Sequence, residues 1–357
     1  MRELAKSVRL RTYVIRRLIL AIPVLFGVSV MTFTLSHIVG GPIGAVASYV
    51  QNEQQLHNPA VLDLLIKQHH LDRPLYEQYF YYLVELINGD WGYSRTGRQP
   101  VLNAIGQYFP ATFELALVTT IISLVVGVAI GIVSAVRKDR PIDHVTRVFS
   151  LTGVSMPVFW LGLMLQFMFY YTLRISGLPY LPSSGRVDIF VALDYPLQTI
   201  TGLYLLDSLL TGNLPFFLSS LHHIILPSLA LSFTSLAMIA RIMRSSMLEV
   251  MRQDYITLAR SKGLSEKVVI YRHALRNAAI PTVTSTGLMF GALLGGATLT
   301  ETVFAWPGLG KWATAAILTT DIATVMGFAL IVAVIYVTVN LIVDLVYGFF
   351  DPRIRYG

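Results

Sequence analysis

The 357-residue sequence contains no cysteine, which excludes disulfides, thiolate metal sites and cysteine nucleophiles together. Charge is also scarce: 13% of residues are Asp, Glu, Lys or Arg, about half of the roughly 25% usual in a globular protein. No nucleophile–base–carboxylate set, carboxylate pair or metal cluster falls on one predicted helix face, so covalent catalysis is not expected. A phosphate-binding Walker loop is missing as well. Its nearest approach, Gly308-Leu309-Gly310-Lys311, continues into Trp312 where Ser or Thr is required, and reads as a turn.

What the chain has in abundance is apolar residues, 54% of the total, with a mean hydropathy of +0.62. They are gathered into six runs at 13–38, 111–136, 148–173, 221–240, 283–304 and 323–349. Each is long enough to cross about 30 Å of hydrocarbon at about 1.5 Å per residue. Backbone groups in lipid must pair within the segment, so the expected fold is an all-α polytopic membrane protein of six spans. The first run follows Arg9, Arg11, Arg16 and Arg17 as a signal peptide would, but continues without a small-residue cleavage pattern and reads as a retained helix.

The net charge of +7 is distributed by topology: the amino-terminal end, the 137–147 loop, the 241–276 loop and the tail hold 20 of the 27 Lys and Arg residues. Positive charge favours the cytoplasmic side. The expected layout is a cytoplasmic segment 1–12, a span 13–38, an extracytoplasmic loop 39–110, a core 111–349 with a cytoplasmic loop at 241–281, and a cytoplasmic tail 350–357. Basic residues that flank apolar runs, with no separate basic domain, give no reason to expect nucleic acid as a partner. In the sizeable first outer loop, 61–69 and 75–87 mix apolar and polar positions as short helices lying on the membrane surface do. In the second, the prolines and glycine of 178–185 predict turns, followed by a short helix.

The 241–281 loop carries more pattern than topology requires. Asp254, Tyr255, Leu258, Ala259, Arg260 and Lys262 fit a short helix with apolar positions at 255, 258 and 259, and Gly263 supplies a left-handed stop before Leu264. Ser265 and Glu266 can then open a second helix that runs through Tyr271 and Leu275 towards Pro281. Two packed helices joined at a glycine make an elbow able to transmit a push.

These residues carry a family resemblance. The stretch 255–266 with His273-Ala274-Leu275-Arg276-Asn277-Ala278-Ala279-Ile280-Pro281 resembles the EAA loop of peptide/nickel-type ABC importer permeases. Aligned on Gly263, the chain keeps Ala259, Gly263 and Leu275 of the broad seven-position pattern and departs at four, in the manner of the oligopeptide and dipeptide branch. Leu71-Asp72-Arg73-Pro74-Leu75, Gly89-Asp90-Trp91-Gly92-Tyr93-Ser94, Ser155-Met156-Pro157-Val158-Phe159, Glu301 through Gly310, and Asp351-Pro352-Arg353-Ile354 resemble further signatures of that branch, in order. The long loop after the first span resembles the OppB/DppB-like member of the permease pair.

The resemblance implies a type I ABC importer permease fold and half of a translocation pore. It also implies a second homologous permease, two ABC ATPases that carry ATP and Mg, an extracytoplasmic substrate-binding protein, and no cofactor in this chain. Peptides are the implied cargo, with oligosaccharides or nickel as alternatives. The elbow residues named above would dock in a groove of the ATPase. A stand-alone secondary transporter would instead need mid-membrane charge or inverted repeats with broken helices, and neither is evident.

Other polar and small residues remain to be placed. His69-His70 and His222-His223 are adjacent pairs, and neighbours on a helix point apart, so neither pair is expected to hold a metal. Glu114 falls within reach of the outer surface, Glu301 at a span end, and Asp344 within reach of Arg353 or Arg355. Gln166 and Asn340 lie deeper, suited either to interhelical hydrogen bonds or to a pore lining. Gly287, Gly291, Gly295 and Gly296 fit close contact with a twin subunit or a bend.

Overall fold

In the computed structural model, which describes residues 2–51 and 53–350, four long helices, Arg2–Ala47, Val101–Val136, Leu214–Val250 and Ile322–Phe350, frame the fold. With the shorter Val158–Ile175, they make five segments among the described residues that are long and apolar enough to cross a bilayer. The expected fifth span is displaced. A 20-residue helix, Leu275–Leu294, stands in its place within the bundle and ends at Gly295. The peptide then breaks before the short helix Thr298–Val303. The expected sequence signatures at 351–354, with Arg353 and Arg355, lie outside the described residues.

Span limits differ from the apolar runs for identifiable reasons. The 101–136 helix starts ten residues before the predicted 111 because Pro110 is accommodated inside it, so the end of the expected outer loop is helical. The predicted 148–173 span is divided. Helix Pro141–Ser155 stops where Met156 turns extended ahead of Pro157, and Val158–Gln166 begins anew. The 214–250 helix outruns the predicted 221–240 at both ends.

The 214–250 helix is the central post, with its most extensive contact against the 101–136 helix. Glycines permit that contact: a Cβ on Gly131 would stand 2.7 Å from the Cβ of Met243, and one on Gly127 2.8 Å from Ile239 Cγ2. A second seam joins the 275–294 helix to the 322–350 helix. There a Cβ on Gly287 would lie 2.2 Å from Val343 Cγ2, and one on Gly291 3.0 Å from Val339 Cγ1. The small-residue face thus packs within the chain instead of awaiting a twin subunit, and the helix breaks at Gly295. Overpacked interiors cost about 1–3 kcal/mol. Gly287→Ala is expected to lower the thermal unfolding midpoint, and Val343→Ala combined with it to restore much of the loss; an unchanged midpoint in the single variant would contradict the seam.

Between the first two long helices, Pro59–Gln68 and Leu75–Ile87 form close to the expected positions. Also present is an unforeseen hairpin pairing Tyr93–Ser94 with Gln99–Pro100. The segment expected to form the second outer loop holds two short helices, Ile189–Asp194 and Tyr204–Leu210. The 75–87 helix crosses the first helix. Its adjacent Gln78 and Tyr79 reach His37 (2.8 Å) and Ser29 (2.8 Å) respectively, partners about 12 Å apart along a helix axis.

Candidate functional site

The end of the bundle that carries the 137–147 and 241–276 segments is the basic end, and the elbow stands there. Helix Asp254–Ser261 is fixed by Ile256, fully buried, and Ala259. Both enter an apolar cluster with Met243, Met247, Val269 and Ala274. Of the three apolar positions read from the sequence, only Ala259 is therefore buried. Tyr255 and Leu258 point outward with 40% and 56% exposure, while Ile256, not singled out by periodicity, is the anchor. Eight residues span only about two turns at 3.6 residues per turn, too short a stretch for periodicity to set Ile256 apart as the buried position.

Gly263 turns the chain at φ +76 with open space around it, and its N–H donates to the Arg260 carbonyl at 2.9 Å. Across the turn, Arg260 Nε donates to Glu266 at 2.8 Å, and Asn277 donates to the Tyr255 hydroxyl at 2.8 Å. Helical structure continues from Glu266 through a wide-turned segment, Val269–Ala274, into the 275–294 helix. Pro281 does not end it, contrary to the sequence expectation. The second arm of the elbow and the glycine seam thus belong to one uninterrupted rod, to which helix Asp254–Ser261 is joined by the turn at Gly263. Tyr255, Leu258, Leu264 and Tyr271 are the elbow's exposed large apolar side chains, with Arg260 and Lys262 beside them.

Below the elbow lies a buried carboxylate that sequence reading missed. Asp143, with no exposed surface, accepts bonds from Arg244 Nε (2.6 Å) and Nη2 (2.8 Å), Arg147 (2.6 Å), the Asp139 amide (3.0 Å) and the Ser134 hydroxyl. It ties together the 101–136, 141–155 and 214–250 helices. The Arg244 guanidinium, outweighing burial and reinforced by Arg147 and Ser134, holds this carboxyl well below the usual carboxylate range.

The opposite end has its own ties. Glu301, wholly buried, accepts from the Thr112 hydroxyl (2.8 Å) and the Lys311 amide (2.9 Å). Its carboxylate would lie 2.5 Å from a Cβ on Gly308. Trp306 donates to the Ala111 carbonyl at 2.8 Å. The turn at Gly308 therefore opens the helix Leu309–Leu318 around a buried acid. Glu114 is not at the surface: it is buried against Arg186 at 2.6 Å and accepts from the Leu205 amide at 2.7 Å. Asp207 gathers the Thr201 hydroxyl and the amides of Ile200, Thr201 and Gly202. Burial alone would raise its pKa, but these donors hold it below the usual carboxylate range.

The remaining candidates scatter. Gln166 donates to the carbonyls of Ser183 (2.7 Å) and Val303 (3.1 Å). Asn340 is half-buried on the last helix, far along the chain from Gln166's partners. Gly291 and Gly295 flank the end of the 275–294 helix. Asp344 pairs with Arg17 at 3.1 Å. His69 stacks on Tyr49 and bonds Glu85, and His70 stacks on Tyr81. Among the described residues no group of three His, Asp or Glu is placed to hold a metal.

Comparison with known proteins adds a direct reading. Residues 127–356 match the family of binding-protein-dependent transport system inner membrane components. The Probable D,D-dipeptide transport system permease protein DdpB of Escherichia coli is 46% identical over 336 residues, 94% of each chain. The dipeptide transport system permease protein DppB of Alkalihalophilus pseudofirmus is 42% identical over 96% of this chain and 99% of its own. The di/tripeptide transport system permease protein DppB of Pseudomonas aeruginosa is 41% identical over 97% and 99%.

Proposed function

Because the chain belongs to the family of binding-protein-dependent transport system inner membrane components, we propose that it is the permease subunit of an ATP-driven peptide importer, pairing with a second, homologous permease to form the pore. Its end-to-end likeness to dipeptide permeases supports peptides as cargo. ATPase subunits and a substrate-binding protein are the partners that such a permease works with. In this reading both termini and the basic end are cytoplasmic, in keeping with the distribution of Lys and Arg.

The observation that carries the reading is the elbow. A docking element for a motor must be rigid at its base and sticky at its tip. Ile256 and Ala259 anchor the base, while Tyr255, Leu258 and Leu264 leave an apolar edge exposed with cationic Arg260 and Lys262 alongside. Closure of two ATPases on nucleotide would draw this edge inward and tip the pore from inward-facing to outward-facing, where the binding protein delivers substrate. The coupling is efficient only if nucleotide favours one pore state strongly; a shift from 1:99 to 99:1 takes about 5.5 kcal/mol.

The chain would bind no nucleotide itself, and Mg and ATP would reside on the partners. Affinity purification of the tagged chain from its own cells tests the assignment. ATPase subunits are expected to co-purify with the wild type, and Leu258→Asp, which changes an exposed position, is expected to lose them at least tenfold while the protein stays folded in the membrane. Equal recovery of ATPase with both would sink the elbow's role. Mass spectrometry of the ligand retained by the cognate binding protein is expected to return peptides.

A further inference from the structure

Between the 141–155 and 214–250 helices, at the basic end, lies a cavity of about 330 Å³ with an unusual composition. Its walls include Arg147, Arg241 and Arg244 together with the apolar side chains of Leu151 and Val154. Asp143 answers two of these cations, and Asp139 also contacts Arg147 and Lys138. The three lining arginines and Lys138 beyond them thus share two carboxylates. Arg241 is exposed and has no ion-pair partner among the described residues, and Arg244 spends Nε and one Nη on Asp143, leaving the other Nη free. The cavity keeps a positive surplus with guanidinium edges directed at it.

The other half of the composition is apolar. Leu151 and Val154 are 66% and 47% exposed, and they continue a ridge through Val148 and Val145. On the far side of Thr146 a second, apolar groove of about 350 Å³ runs along Ile130, Val133 and Phe149. Both openings lie where apolar spans give way to the arginines. A small hydrated anion would leave this apolar surface unused, whereas an anion tethered to hydrocarbon uses both halves. Planar guanidinium groups bind phosphate oxygens in paired geometry.

We infer that this cavity binds the phosphodiester headgroup of an acidic phospholipid from the leaflet at the basic end, with Arg241 and Arg244 on the phosphate and an acyl chain along Leu151 and Val154. The inference is independent of the cargo and of the elbow's partner. Each basic residue near an anionic lipid contributes about 1 kcal/mol, or about fivefold in binding.

Native mass spectrometry of the full-length chain, exchanged into mixed phosphatidylglycerol and phosphatidylcholine, tests it. Phosphatidylglycerol is expected to be retained preferentially, and Arg241→Gln to reduce its retention about fivefold with an unchanged thermal midpoint. Arg241→Lys should recover part of the loss, and Arg272→Gln, an equal charge change on the elbow, should leave retention intact. Equal retention of the two lipids, or equal losses in the Arg241 and Arg272 variants, would overturn the site. So would displacement of the lipid by millimolar inorganic phosphate, since the cavity would then recognise free phosphate.

Discussion

Replacing Asp143 with alanine is expected to destabilise the protein by about 3–5 kcal/mol, the usual cost of removing one partner from a buried ion pair. The carboxylate is fully buried and joins three helices through Ser134, Arg147 and Arg244, so its removal strands the largely buried Arg244 guanidinium. Thermal unfolding in detergent or nanodiscs should show a midpoint lower by on the order of 5–10 °C. Asp143→Asn keeps the shape and an acceptor oxygen and should fall between the two. An alanine variant as stable as wild type would show that the three helices are held by their apolar contacts alone.

The sign of the pH effect follows from the same geometry. The folded carboxyl is held below its ordinary value near 4, so its stabilisation is fully present above that value. It is lost only as pH falls through the lower folded pKa. Between about pH 5 and pH 8, Asp143 should therefore add no slope to a stability profile.

The second large effect concerns Gly263. Proline there requires φ near about −65° and carries no N–H, whereas the residue sits at φ +76 and donates to Arg260. Gly263→Pro is expected to reduce ATP-driven uptake at least tenfold by re-aiming Leu264 and separating Arg260 from Glu266. Gly263→Asn, which tolerates the left-handed region, should keep most of the activity. Uptake unchanged in the proline variant would remove the elbow from the transport cycle.

How much of this was legible beforehand depended on the length of the signal. Apolar runs located the last span to within a residue at each end, since Ile322–Phe350 offers more than twenty residues of uniform pattern, whereas the first helix, Arg2–Ala47, outruns the predicted 13–38 at both ends. The Leu75–Ile87 helix was equally plain. Prolines misled in both directions: Pro110 and Pro281 sit inside helices, while Pro157 ends one. The difference lies in whether neighbours can satisfy the freed carbonyl, which no local pattern encodes. Gly263 was readable because a glycine after an amphipathic helix has few other uses. Asp143 was not, because a loop aspartate among arginines reads as a solvated charge until the 214–250 helix brings Arg244 to it across the fold.

The rod from Glu266 to Leu294 has a mechanical consequence. Its tight contact with the last helix, at Gly287 and Gly291, lies about 35 Å from the start at Glu266 and about 9 Å from the break at Gly295. If that contact acts as a fulcrum, the two arms differ by a factor of roughly four. A swing of the elbow is then geared down to about a quarter of its size at the opposite end, and the force there is multiplied in proportion. Such gearing trades reach for strength, and it works only if the fulcrum has no play, which is what a seam too narrow for a single methyl group provides.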